Sequence, residues 1–239
     1  LANNKMTPTT NTALFIGGID YDSMLSSNEN IIQHSFLKRE GIKSNRSRGE
    51  IWIYLPGTLK EVETLQTILE SNGSLVTRWS GKEATETNFK KLSGNSPNIL
   101  HIATHGFFYE NLNKKPPSSF NLSTEDQYRL AEDPLMRSGL LLAGANQTWK
   151  NGHNKNQVDD GILTAMEISN MDLSNTDIVV LSACETGLGD IDGSEGVYGL
   201  QRAFKMAGVH IIIMSLWEVP DIETAEFMSL FYSNWMQSN

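Results

Sequence analysis

A single cysteine, Cys184, occurs in 239 residues. One thiol can close no internal disulfide and build no cysteine metal cluster, so a reducing setting and a cytoplasmic location are expected. Long apolar runs are missing too. The longest, Val209 to Trp217, is interrupted by His210 and falls short of the ~18 residues a membrane helix requires; no membrane association is expected. Basic residues are outnumbered, 19 Lys and Arg against 28 Asp and Glu, for a formal net charge of -9. Phosphate-binding surfaces need a cationic excess. The basic clusters, Lys38-Arg39 and Lys43 to Arg48, are short and loop-like, so no direct nucleic-acid binding is expected.

Several catalytic signatures are also absent. There is no GxxxxGK(S/T) phosphate loop and no G-x-S-x-G nucleophile elbow. His101 and His105 have the spacing of a zinc helix, but their segment is rich in β-formers and lacks the HExxH glutamate. Asp190 to Glu195 matches a calcium loop only superficially, because its glycine is misplaced. No metal and no cofactor are expected.

What is present is an α/β rhythm. Residues 1–12 read as a flexible polar lead-in, and the chain, which opens on Leu1, reads as a piece of a longer protein. Ala13 to Asp20 is a short apolar strand with a glycine pair near its end. Tyr21 to Glu50 reads as a surface excursion and Ile51 to Leu55 as a strand closed by Pro56-Gly57. Thr58-Leu-Lys-Glu61 has the form of a capping box, followed by helical repeats from Leu59 to Leu69. Ser74 to Trp79 is a strand, about 85–92 a helix, and Asn98 to His105 a buried strand. Glu110 to Asp133 and Lys150 to Asp160 are polar loops, with Leu140 to Ala143 a short hairpin strand between them. Thr164 to Glu167 forms a second capping box. The run from Asp177 is another buried strand, which stops at Cys184. A helix ends at Gly208, Val209 to Leu216 is a strand, and a last helix begins near Asp221. This alternation predicts a mostly parallel sheet with right-handed crossovers, covered on both faces.

The chemistry gathers at two strand ends. In open α/β sheets ligands sit past the carboxyl ends of the strands. One buried strand stops at Cys184, followed by Glu-Thr-Gly-Leu-Gly. The other stops at His105-Gly106. A free thiol of pKa ≈ 8.5 is mostly protonated near neutrality, so attack needs a base; His105 can serve. Gly106 admits close approach, and a backbone N–H there can bond a developing oxyanion. His101, Ala103 and His105 share one face of an extended strand, and His101 is read as a satisfied interior or sheet-edge residue. The glycines from 187 to 199 read as a flexible wall around the thiol.

The phrases LPGTLKEVETL (55–65), ATETNFKKL (84–92), ILHIATHGFF (99–108), SGLLLAGA (138–145), DGILTAMEIS (160–169) and the run from Val179 to Val219 resemble, in order, the CHAT domain. This is a caspase-like (clan CD) cysteine peptidase family often found behind tetratricopeptide repeats. The resemblance implies a caspase-hemoglobinase fold, a three-layer α/β/α sandwich, spanning 13–239 with its C-terminal end missing. It also implies a dyad of His105 and Cys184 with Gly106 in the oxyanion site. The implied function is a thiol endopeptidase acting in bacterial defence or programmed cell death. Its implied partners are a protein substrate, such as a gasdermin or another defence effector, and an upstream TPR or sensor domain or activating partner.

Caspase-like folds build the S1 pocket from loops at the strand ends. Asp20, Asp159 and Asp160 fall on such loops and would favour a basic P1 side chain, against the plainer reading of solvated acids; Trp217 would favour an uncharged one. The rival function is a catalytically silent caspase-like scaffold that binds partners.

Overall fold

The computed structural model describes residues 11–23, 51–109, 123–153, 159–182, 195–215 and 221–237. In chain order the first half contains β1 (Thr12–Ile19), α1 (Pro56–Ser71), β2 (Leu75–Gly81), α2 (Glu86–Lys90), β3 (Ile99–Ala103), β4 (Gly106–Phe108) and α3 (Thr124–Arg129). The second half contains β5 (Ser138–Leu141), α4 (Ala145–Asn151), β6 (Ile162–Thr164), α5 (Ala165–Ser169), β7 (Ile178–Ser182), α6 (Glu195–Met206), β8 (Ile211–Met214) and α7 (Asp221–Gln237).

Five strands form the central sheet in the order β2-β1-β3-β7-β8, and every neighbouring pair is parallel. Strands β3 and β7 are buried throughout, as strands covered on both faces must be. Alternate residues divide between two cores. Phe15, Ile99, Ala103, Ile178 and Val180 pack with Val62, Leu65 and Leu69 of α1 and Met228 and Tyr232 of α7. On the other face Leu14, Ile16, Leu100, Ile102, Val179 and Leu181 pack with Phe89 of α2, Ile168 of α5 and Leu200, Ala203 and Phe204 of α6. The result is the expected three-layer α/β/α sandwich. No helix among the described residues is long and apolar enough to cross a membrane.

Strand β1 lies between β2 and β3, so the chain steps one way from β1 to β2 and then reverses. That reversal makes the carboxyl ends of β1 and β3 the switch point, the place where doubly wound sheets take their ligands.

A second, antiparallel sheet, β4-β5-β6, begins directly after His105. Only β5 is foreshadowed by the sequence pattern; β4 and β6 span three residues each. Three other expectations change. Ile51 to Leu55 forms no strand and is unpaired with either sheet. Thr124–Arg129 is a short helix inside the anticipated polar loop, capped by Ser123, whose Oγ accepts from the Asp126 amide at 3.1 Å. Tyr21 is core rather than surface.

The capping box at Thr58 does not form, because Pro56 already occupies the first turn of α1 and its fixed φ suits that position. Thr58 instead accepts from the Gly18 amide at 2.9 Å and donates to the Leu55 carbonyl at 2.7 Å. A Cβ on Gly17 would stand 2.6 Å from the Thr58 carbonyl oxygen, so the glycine pair brings α1 down onto β1. The second box is real: Thr164 Oγ1 accepts from the Glu167 amide, and Glu167 reaches back to the Thr164 amide at 2.8 Å. Gly199, expected in a flexible wall, lies in α6, where a side chain would press on Ser138.

Candidate active site

Strands β3 and β7 are neighbours in register, with Ala103 opposite Ser182. His105 is the second residue past Ala103 and Cys184 the second past Ser182. Cys184 itself lies outside the described residues, as does Trp217. Asp20 follows β1 on the other side of β3.

His105 is held from several sides. Strand β3 ends at Ala103, so His105 leaves the face it was expected to share with His101. Its ring is 3% exposed overall and packs at 5.1 Å from both Tyr21 and Trp52. The Tyr21 hydroxyl lies 3.3 Å from the His105 amide, and the His105 carbonyl accepts from Leu141 at 2.9 Å. Nε2 sits 2.8 Å from the carbonyl oxygen of Ile53. A carbonyl can only accept, so Nε2 carries the proton and Nδ1 is the basic nitrogen of the neutral ring.

Gly106 opens β4 opposite Leu140. Backbone bonds from Leu141 to His105 and from Tyr109 to Arg137 bracket the ladder. By antiparallel alternation Gly106 occupies a non-hydrogen-bonded position, so its N–H faces away from β5.

His101 is fully buried, four residues before His105 but in separate company. Its Nε2 is 2.8 Å from Glu61 Oε1 of α1, and its Nδ1 is 3.3 Å from the Tyr232 hydroxyl of α7. Ser182 donates to the other Glu61 oxygen at 3.1 Å. Burial, then the nearby Glu61 charge, pushes the Tyr232 hydroxyl well above its ordinary range, which suits a donor to Nδ1. This chain ties α1, β3, β7 and α7 together beneath the rim.

The candidate pocket acids differ. Asp20 is half-buried; its Oδ1 accepts from the Asp22 amide, and its carbonyl accepts from Gly144 at 3.1 Å. The Asp160 carboxylate is engaged by His153 at 2.7 Å and by the Ile162 amide at 2.8 Å. Burial is the main cause that raises the Asp160 carboxyl above its usual range. Asp159 joins Glu86 and Glu167 around Lys90, at 2.9, 2.6 and 2.9 Å. Burial works against ionising Asp159, but Thr87 and Lys90 outweigh it and lower its carboxyl. Asp159 therefore belongs to an ion cluster that fastens the loop before β6 to α2. Glu86 completes this fastening by accepting from the Asp160 and Gly161 amides.

Sequence reading passed over Tyr21, Trp52 and the Ile53 carbonyl, and it took Glu61 for a cap. The residues that orient His105 come from segments remote in the chain. No group of His, Cys, Asp and Glu among the described residues is arranged to hold a metal ion. No curated protein matches the chain. The family model of the CHAT domain matches residues 7–239.

Proposed function

The chain belongs to the CHAT domain family, which is caspase-like, and on that premise we propose that it is a cysteine endopeptidase working through Cys184 and His105. The observation that carries the reading is the register of β3 and β7, which brings the two strand ends level. His105 Nδ1 takes the thiol proton while Nε2–H stays on the Ile53 carbonyl. The thiolate attacks the scissile carbonyl carbon, and the Gly106 N–H bonds the resulting oxyanion. The imidazolium then protonates the departing amine, and water, activated by the neutral ring, hydrolyses the acyl-enzyme. Asp20, at the switch point, supports a basic P1 residue. The Asp160 carboxylate, already bonded to His153, supports that choice less, and Trp217 remains the candidate wall for an uncharged P1.

The substrate under this reading is a protein, with a gasdermin or another defence effector as the candidates, and a sensor or repeat domain supplies control in the cytoplasm. The test uses acyloxymethyl ketone peptides with Arg or Leu at P1. Cys184 should be labelled by one of them, and His105→Ala should lose at least ~100-fold in rate. Equal labelling of wild type and His105→Ala would reject the proposal in favour of a scaffold.

A further inference from the structure

Asn146 sits in the first turn of α4, and its residue is 0% exposed. Every polar group of its carboxamide is used. Oδ1 accepts from the Trp52 amide at 2.8 Å, while Nδ2 donates to the Trp52 carbonyl at 2.9 Å and to Asp22 Oδ1 at 3.1 Å. The Asn146 backbone N–H donates to the Tyr21 carbonyl at 2.9 Å. One side chain thus grips both backbone groups of Trp52, and its own amide holds Tyr21. These are the two aromatics flanking the His105 ring, and the next carbonyl after Trp52, that of Ile53, receives His105 Nε2–H.

Beside these bonds, the Trp52 ring meets Trp149 edge-on at 5.1 Å and the Thr58 hydroxyl donates to the Leu55 carbonyl at 2.7 Å. The 51–55 segment is paired with neither sheet, and Ile53 is 62% exposed on its outer side. A segment without ladder bonds depends on such side-chain contacts to satisfy its backbone groups. The donor and acceptor pattern is also selective. A carboxylate cannot donate to the Trp52 carbonyl and would face Asp22 with like charge. An apolar residue would leave a buried N–H and C=O without this partner.

We infer that Asn146 is the positioning residue of the histidine: by fixing Trp52 and Tyr21 it sets the ring between them with Nε2–H on Ile53 and Nδ1 as the base. The inference rests on the peptidase reading for its consequence, since Asn146 acts through His105. Without Asn146 the Ile53 carbonyl drifts, both ring tautomers are populated, and the fraction of rings presenting a basic Nδ1 falls.

The test has two readouts. Cys184 is the sole thiol, so its alkylation by iodoacetamide can be followed against pH in wild type, Asn146→Ala and Asn146→Asp. Wild type should react with an acid-shifted profile, while both variants should move toward that of a free thiol near pH ~8.5 and lose about tenfold or more at pH ~7. If wild type itself reacts like a free thiol, the peptidase reading falls and the inference falls with it. If wild type is acid-shifted and the variants match it, the reading stands and the inference is overturned. The second readout needs no variant that folds: in wild type the Trp52 amide should resist hydrogen exchange, and His105 ¹⁵N shifts should report the Nε2–H tautomer. Rapid Trp52 exchange or an Nδ1–H tautomer overturns the inference.

Discussion

Glu61→Met should destabilise the fold more than a surface change on α1 has any right to. Glu61 is 1% exposed and receives hydrogen bonds from His101 and Ser182, which are 0% and 4% exposed. Methionine has similar bulk but cannot accept, so both buried donors lose their partner. Each such orphan costs about 1–3 kcal/mol, toward the upper end for a donor that loses a hydrogen bond to a carboxylate. Two orphans together cost about 3–5 kcal/mol, a large part of the ~5–15 kcal/mol that holds a domain together. In urea that loss lowers the midpoint by about 1–2 M for a slope of ~2–3 kcal/mol/M. His101→Phe keeps the ring that meets Phe15 and Tyr232 edge-on while removing one donor. Because the donor and acceptor are coupled, the double variant should cost about 1–3 kcal/mol less than the sum of the singles. The reasoning is refuted if Glu61→Met costs under ~1 kcal/mol, or if the two changes simply add.

Two further outcomes follow from the loop before β6. Gly161 has φ +81°, and a Cβ there would stand 2.6 Å from the Ala145 amide nitrogen; Gly161→Ala should cost about 2–4 kcal/mol from strain and overpacking together, and a near-neutral urea midpoint would contradict that. Burial first, then the carboxylates of Glu167 and Asp160, push Glu86 from its ordinary 4.5 up to about 8. The folded chain then holds that proton more tightly than the unfolded one. Its contribution to stability is complete below pH 4.5 and is lost as the pH rises toward about 8. Glu86→Gln should flatten that decline in urea midpoints measured across this range, and an unchanged slope would count against it.

The strands that carry the candidate dyad were legible because a parallel strand buried on both faces leaves an unbroken apolar run, as Ile178 to Leu181 does. Their neighbouring order and register were not, since pairing is a long-range property. Strands of three residues, Gly106–Phe108 and Ile162–Thr164, are too short to show a period of two. Trp52 and Ile53 read as a strand because their composition is right, yet their backbone partners are an asparagine side chain and a histidine ring. Glu61 read as a cap because its spacing from Thr58 is right, and only the fold reveals His101 across the helix–sheet interface. Local pattern carries the layers; contacts across tens of residues carry the site.

The most direct measurement is a crystal structure of the chain trapped by a peptidyl electrophile. The account predicts the adduct on Cys184 Sγ, within hydrogen-bond reach of His105 Nδ1, with His105 Nε2 still on the Ile53 carbonyl. A sulfur carrying the adduct away from that imidazole, or a peptide bound at the opposite end of the sheet, would contradict it.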